Sequence, residues 1–247
     1  MKTATYLLID ISNSFTKFAF ASAARLSAGH RLATRDFTGA YLRQVLRRRK
    51  AETVVVSSVV PDKAGPIRAA SRGTRILWVS AKVNLGVGVD YPAPETIGAD
   101  RLANAAAVAA LYGWPAVVVD FGTAVTFDIV SERRCYIGGV IAPGLEAMTN
   151  FLYQRTALLP KLSLKEPRKA VGKSTRGAMM AGAVYGYRGL VREILERIKA
   201  EQFRRRRVKV VATGGYAHLI ARQLPEIDAV HPHLTLEGLR IIANLNR

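Results

Sequence analysis

Val117-Val118-Val119-Asp120-Phe121-Gly122-Thr123-Ala124-Val125-Thr126-Phe127-Asp128 reads as a buried β-branched strand, a tight Gly-Thr turn and a second strand leading away. The first strand delivers a carboxylate to the turn. An acidic side chain at a strand end, beside a glycine amide that can approach an anion, suits a phosphate that arrives with its metal or cation. Such a run is common in ordinary hairpins, and its weight comes from a second copy near the N-terminus. There Tyr6-Leu7-Leu8-Ile9-Asp10-Ile11 leads through Ser12-Asn13-Ser14 into Lys17-Phe18-Ala19-Phe20-Ala21. Both copies share one plan: apolar strand, Asp, small polar turn, return strand. A repeat separated by roughly half the chain predicts two related domains facing one another, 1–115 and 116–247, with a cleft between the hairpin tips.

The remaining pattern predicts an α/β layered fold, because strands alternate with helices. After the first hairpin, a strand near Arg31 to Thr34 precedes a helix from Gly39 to Lys50. Val54 to Ser58 is a strand, Asp62 to Arg72 a helix and Ile76 to Val79 a strand. A Gly- and Pro-marked loop, Val87 to Pro94, leads to Thr96-Ile97-Gly98-Ala99-Asp100-Arg101, which opens an alanine-rich helix running to Tyr112. Asp100 in that first turn reads by itself as a dipole-favoured residue, while Gly98 before it and a strand ending in Asp120 after the helix allow a catalytic reading instead. Tyr136 to Gly144 is a strand crowded with glycine, where a ligand or another backbone can approach closely. Helices follow at Leu145 to Ala157 and Thr175 to Lys199, the second carrying small residues on one face. Val208 to Thr213 is a strand that enters the Gly214-Gly215 turn, read either as a phosphate contact at the helix start or as a plain loop. Helices at Tyr216 to Leu224 and Leu236 to Leu245 complete the chain.

The chain has 247 residues, 49% of them hydrophobic, which is ample for a packed core. Cys135 is the one cysteine, so no intrachain disulfide forms, and a reducing cytoplasmic setting is the simplest fit. Met1-Lys2-Thr3-Ala4-Thr5 leads into only a short apolar run without the h-region of a signal peptide, so no export is expected. The charge-free stretch Ala105 to Val119 is broken by Gly113-Trp114-Pro115 and falls short of the roughly 20 apolar residues that span a bilayer. No membrane association is expected. The net charge of +19 suggests a polyanion as partner, yet much of it lies in Arg43 with Arg47 to Lys50 and in Arg204 to Arg207. Both clusters are expected at helix C-termini, where cations complement the dipole, and neither interleaves aromatics as a base-stacking surface would. Nucleic acid is therefore not the expected partner.

Gly172-Lys173-Ser174-Thr175 resembles the end of a Walker A loop, but Pro167 stands where the pattern needs glycine and no apolar strand precedes it. The four histidines show neither helical pairing nor a nearby cysteine pair, and no Gly-x-Ser-x-Gly elbow occurs. What remains is a set of carboxylates at element ends: Asp10, Asp100, Asp120 and Asp128. Phosphoryl transfer needs a carboxylate-held metal, amides and hydroxyls around the phosphates, and a base for the attacking hydroxyl.

Taken together and in order, these motifs resemble those of the type III pantothenate kinase family, which belongs to the actin, hexokinase and Hsp70-like ATPase superfamily. The motifs are Asp10 to Lys17, Tyr91, Gly98-Ala99-Asp100-Arg101, Asp120-Phe121-Gly122-Thr123-Ala124, Gly138 to Gly144, and Ser174-Thr175. The resemblance covers nearly the whole chain. It implies two related domains of the actin-like ATPase (ribonuclease H-like) type with the active site in the interdomain cleft. It implies transfer of the γ-phosphate of ATP to the primary hydroxyl of pantothenate, with Asp100 as general base. Asp10, Ile11, Ser12, Asn13, Ser14, Phe15, Thr16 and Lys17 would form the first phosphate loop, Asp10 helping to place Mg²⁺ that comes with ATP. Asp120 would hold a monovalent cation, potassium or ammonium, and Thr123 would contact ATP. Tyr91, Gly98, Ala99, Arg101 and Thr175 would line the pantothenate pocket, with Arg101 facing the substrate carboxylate. Thr213-Gly214-Gly215 matches the region around the adenosine, and a homodimer is implied.

One position departs from the family pattern: Ser12 stands where the first phosphate loop normally has glycine. If that turn requires positive φ, a serine costs on the order of 1 kcal/mol and its side chain crowds the phosphates. On that expectation the alternative is a catalytically weak homologue with a regulatory or nucleic-acid-binding role.

Overall fold

The computed structural model describes residues 5–204 and 206–247. Met1 to Ala4, on which the reading of the N-terminus partly rests, and Arg205 of the second basic cluster lie outside the described residues. The chain divides into two compact units, one formed by 1–113, 132–138 and 233–247 and the other by 114–131 and 139–232.

In the first unit, β1 (Tyr6–Ile11) and β2 (Phe15–Ala21) form the expected antiparallel hairpin, with Asp10 opposite Lys17. β3 (His30–Ala33) extends it on one side, and β4 (Thr53–Ser58) and β5 (Arg75–Trp78) add parallel strands on the other, giving the order β3-β2-β1-β4-β5. Every residue of β1 is buried, as its continuous apolar run requires of a strand covered on both faces. On one face Leu7, Ile9, Ile11, Val54 and Val56 pack with Leu42 of α1 (Gly39–Arg48) and Ile67 of α2 (Ala64–Ala70). α2 is shorter than its sequence pattern suggests. The stretch begins as a 3₁₀ turn, Pro61–Lys63, since Pro61 and Pro66 each remove an amide from the helical ladder. On the other face α7 (Leu234–Leu245) packs on β1 and β4, and α3 (Ala99–Leu111) packs on α7. That helix pair meets at backbone distance: a Cβ on Gly238 would lie 2.0 Å from the Ala103 carbonyl oxygen. Buried Ala103, Ala105, Ala106 and Ala107 give α3 the flat surface for this approach, and Thr235 Oγ1 donates to Asn104 Oδ1 at 2.9 Å beside it.

The second unit repeats the plan. β7 (Ala116–Phe121) and β8 (Ala124–Val130) form an antiparallel hairpin with Asp120 opposite Thr126, and β10 (Lys209–Thr213) lies parallel to β7 with Thr213 level with Asp120. Thus β7 stands between an antiparallel and a parallel neighbour, as β1 does. The sheet's full order is β11-β10-β7-β8-β9-β6, with β9 at Cys135–Pro143; β6 and residues 135–138 of β9 belong to the first unit. The sheet's ends are two-residue strands, β6 (Gly88–Val89) and β11 (Ala229–Val230), too short for any sequence period to reveal. α4 (Leu145–Arg155), α5 (Thr175–Gln202) and α6 (Ala217–Ala221) complete this unit. α5 buries Met180, Ala181, Val184, Tyr187, Arg188, Val191, Leu195 and Ile198, a stripe at helical spacing. Among the described residues, no helix is long and apolar enough to cross a membrane.

Gly238→Ala should destabilise the protein by about 2 kcal/mol or more, since the added methyl meets a helix backbone that cannot yield without separating α3 from α7. Urea unfolding at fixed protein concentration would measure it, and an unchanged midpoint would refute the close approach.

Candidate active site

Asp10 lies at the end of β1 and is only 3% exposed. Burying a carboxylate is costly unless donors replace water. One donor comes from the parallel neighbour: Ser57 Oγ donates to Asp10 Oδ1 at 3.0 Å. The turn that follows is held from outside. Ser12 N donates to Phe15 O at 3.1 Å, Thr34 N to Ser14 O at 3.0 Å, and Thr34 Oγ1 to Ser12 O at 2.6 Å. Buried Thr16 shares its hydroxyl with Thr34 at 3.1 Å, and the Arg31 guanidinium stacks 3.5 Å above the Phe15 ring. Asn13, Ser14 and Phe15 stay exposed, Ile11 and Thr16 are buried, and Lys17 is half-buried.

The strain that a positive φ would bring at Ser12 does not arise. Among the described non-glycine residues, positive φ occurs at Arg134 and Arg204, and Ser12 is not one of them. The second copy agrees: a Cβ on Gly122 would meet only ordinary contacts, Ala124 O at 3.4 Å and Asp120 Oδ1 at 3.7 Å. Serine is accommodated because the turn keeps a conformation open to any residue, braced by Thr34.

Asp100 is half-buried in the first turn of α3, and its Oδ1 accepts from Arg101 N at 2.9 Å. The carboxylate lies over Gly98, where a Cβ would stand 2.6 Å from Oδ1. Near the same helix end, the Arg101 guanidinium is 5.7 Å from the centroid of the buried Tyr136 ring, and Tyr91 packs on Tyr136 at 6.2 Å. Gly138, at φ +123, lies beside the Tyr91 ring, from which a Cβ at 138 would be 3.5 Å. So Tyr91, Arg101 and the Gly98–Asp100 turn belong to one unit, joined by Tyr136 and Gly138.

In the second unit, Gly122 N donates to Ala124 O at 3.0 Å to close the hairpin tip, and Gly144 N donates to Thr123 O at 3.1 Å. A Cβ on Gly144 would lie 2.2 Å from that same carbonyl, so the glycine-rich end of β9 lies directly against the tip. Gly214, at φ +93, passes so close to Asp120 that a Cβ would be 2.6 Å from its Oδ1. Tyr187 OH donates to Pro143 O at 3.2 Å, and burial pushes its phenol up, which keeps it a donor.

Thr175 is exposed at the start of α5 in this unit, after Ser174, whose Oγ accepts from Gly177 N at 3.1 Å as N-cap. The Walker-like stretch is thus a capped helix start. The loop before it is anchored by Arg188, only 5% exposed, which donates to both Glu166 oxygens at 2.9 and 2.7 Å and to Leu219 O at 2.7 Å. Hydrogen bonding from Arg188 holds the Glu166 carboxyl below the usual carboxylate range, aided by the charges of Arg188 and Arg222 and opposed by desolvation.

Sequence reading did not single out Ser57, Thr34, Tyr136 or Arg188. Ser57 and Tyr136 lie inside strands it recognised, but only the pairing of β4 with β1 and the packing on Tyr91 give them roles.

Asp10 offers one carboxylate, which suits Mg²⁺ held mainly by the phosphates it accompanies. Asp120 offers one negative charge with the hydroxyl-bearing residues Thr126 and Thr213 level with it on the adjacent strands. Among the described residues no group of three or more His, Cys, Asp or Glu forms a metal cluster. A singly charged oxygen set fits a monovalent cation.

Two hairpins, each with its acid near the end of a buried strand and a parallel strand beside it, define an actin-like ATPase fold. Solved structures share it at low identity. They include a proposed 2-dehydro-3-deoxygalactonokinase from Sinorhizobium meliloti (TM-score 0.60, 12% identical, 97% of each chain covered). Another is component A of (R)-2-hydroxyglutaryl-CoA dehydratase from Acidaminococcus fermentans (TM-score 0.52, 13% identical, 98% of this chain and 97% of that one). Within that fold, the type III pantothenate kinase model matches residues 6–197. A type III pantothenate kinase of Akkermansia muciniphila is 50% identical across 98% of this chain and 99% of its own length. One from Methylacidiphilum infernorum is 42% identical across 97% and 88%. The chain belongs to the type III pantothenate kinase family.

Two outcomes follow from this geometry. Ser12→Gly should lower stability by about 0.5–1 kcal/mol rather than relieve strain, because glycine loses more backbone entropy in an ordinary conformation. A gain in thermal midpoint would contradict it. The Glu166–Arg188 pair contributes stability that is present above the unfolded carboxyl value near 4.5 and is lost as pH falls through the lowered folded value. In thermal scans at decreasing pH, Glu166→Gln should therefore lose less stability below about pH 4.5 than the parent does.

Proposed function

We propose that this protein transfers the γ-phosphate of ATP to the primary hydroxyl of pantothenate, giving 4'-phosphopantothenate in the first step of coenzyme A biosynthesis. The observation that carries this reading is the Gly98-Ala99-Asp100-Arg101 turn, in a chain that belongs to the family. Gly98 leaves room for the Asp100 carboxylate, whose Oδ1 accepts from Arg101 N. Asp100 takes the hydroxyl proton as the oxygen attacks the γ-phosphorus. The bond from that phosphorus to the β,γ-bridging oxygen breaks and ADP leaves with the electron pair.

The Arg101 guanidinium receives the pantothenate carboxylate, oriented by Tyr136, with Tyr91, Gly98 and Ala99 beside it, and Thr175 is a further residue assigned to the substrate. Residues Asp10 to Lys17 receive the ATP phosphates, and Thr123 contacts the nucleotide. Mg²⁺ bound with ATP neutralises phosphate charge, and Asp10 is the residue that would hold it. Asp120 holds the monovalent cation, potassium or ammonium.

A homodimer is supported by the second unit's surface. Met148, Phe151 and Tyr153 of α4 and Leu158 after it are exposed. On α5, Gly182, Gly186 and Gly189 would have nothing within 4 Å of an added Cβ. Apolar side chains beside helix backbone left bare for close approach suit a second copy of the chain. The lone cysteine accords with a cytoplasmic setting.

Asp100→Asn keeps the shape and the Arg101 contact but cannot take a proton. Pantothenate-dependent ADP formation should fall about 10²–10⁴-fold with the thermal midpoint little changed. Turnover within a few-fold of the parent would remove Asp100 as the base, and ADP formation indifferent to pantothenate would remove the acceptor.

A further inference from the structure

Because the two units repeat one plan, equivalent positions can be compared directly. In the first, Asp10 has Ser57 level with it on the parallel neighbour, and in the second Asp120 has Thr213 level with it on the parallel neighbour. Both neighbours are hydroxyl residues and both are buried, Ser57 at 0% and Thr213 at 1% exposure. Their hydroxyls differ in use. Ser57 Oγ is spent on its aspartate, donating at 3.0 Å. Thr213 Oγ1 is out of reach of solvent and has no hydrogen-bond partner among the described residues.

A buried hydroxyl left unmatched by protein is uncommon, and each case calls for an explanation. A purely structural threonine would be paired, or valine would serve the sheet better at a position flanked by buried Val210, Val211 and Ala212. The surroundings indicate what the oxygen is for. Thr213 and Asp120 are Cα partners on adjacent parallel strands, so their side chains leave the sheet on one face. The Asp120 carboxylate leans towards the Thr213–Gly214 peptide, close enough that only glycine fits at 214. One carboxylate and one neutral hydroxyl residue therefore stand level with each other on one face of the sheet at the strand ends.

We infer that Thr213 Oγ1 is a direct oxygen ligand of the monovalent cation held by Asp120, so that Thr213 serves the cation rather than the adenosine. The inference rests on the reading of Asp120 as the cation holder. A neutral hydroxyl adds coordination without adding charge, which matches potassium or ammonium and leaves the site too weakly charged to retain a divalent ion unaided. The contrast with Ser57 gives the second half of the device: the first carboxylate is fixed by the protein itself, and the second shares its neighbour's oxygen with the ion.

The test titrates the full-length protein with KCl at constant ionic strength, using tetramethylammonium as the balancing ion, and follows the thermal midpoint. Wild-type protein should show a saturable rise, and its absence would overturn the inference together with the cation site. Thr213→Val, which keeps shape and removes the oxygen, should raise the half-saturating potassium concentration about tenfold or more. Thr213→Ser should stay within about threefold of wild type, because the oxygen remains. Asp120→Asn should abolish the response. If Thr213→Val titrates like wild type while Asp120→Asn does not respond, the Thr213 assignment fails and the Asp120 reading stands. If Asp120→Asn also titrates like wild type, the Asp120 reading fails. Thr213→Cys provides a readout independent of stability, since a softer sulfur ligand should shift preference from K⁺ towards Tl⁺ by about tenfold. An unchanged Tl⁺/K⁺ ratio in that variant would overturn direct ligation even if Thr213→Val does not fold.

Discussion

The cost of ending a buried strand in a carboxylate governs this structure. β1 is buried along its whole length, so Asp10 emerges into a nearly dry site, and its charge is tolerable only where neighbours supply donors. The nearest supplier is the strand that runs parallel to β1, because parallel pairing sets Ser57 level with Asp10. That pairing needs a long crossover, here through β3 and α1, and the crossover brings Thr34 under the turn on its way. One electrostatic requirement thus ties together the hairpin, the crossover and the brace that shapes the turn after Asp10.

The same plan in the second unit shows what changes when the requirement is met differently. Asp120 is half-buried rather than buried, and its tip is backed by Gly144 and Gly214, whose backbones come closer than any side chain would permit. Glycine at these positions gives the site peptide groups at short range, a neutral and rigid source of oxygens and amides. Asp10, by contrast, faces Lys17 across the hairpin and takes a hydroxyl from Ser57. A duplicated scaffold therefore carries two carboxylates in unlike surroundings, and unlike surroundings let two acids of the same type do different work.

Much of this could be read along the chain, because the determinants are local. An apolar run ending in Asp and a small polar turn predicts each hairpin, and a glycine before an alanine-rich run predicts the start of α3. Contacts made across the sheet could not be read in this way. Ser57 is 47 residues from Asp10 and Thr34 is 22 from Ser12, and nothing in either segment announces the partner. The strain expected at Ser12 came from judging a turn by its own residues, when its conformation is set by Thr34 from outside. Nor does any local motif announce that α7 closes the first unit. That follows from Gly238 and Ala103, two unremarkable small residues whose complementarity exists only once the helices meet.

One rule does connect the sites in both units. Asp100 and Asp120 each have a carboxylate oxygen 2.6 Å from where a glycine's Cβ would be, at Gly98 and Gly214. Any side chain at either glycine would displace the carboxylate, so each acid is held in place partly by an empty volume beside it. At Gly214 the φ of +93 also favours glycine, and backbone conformation alone could account for that residue. At Gly98 it cannot: φ is −56 and ψ 135, open to any residue. The space needed by Asp100 is the remaining physical reason for glycine there. Gly98 thus contributes to the Asp100 turn through the room it leaves.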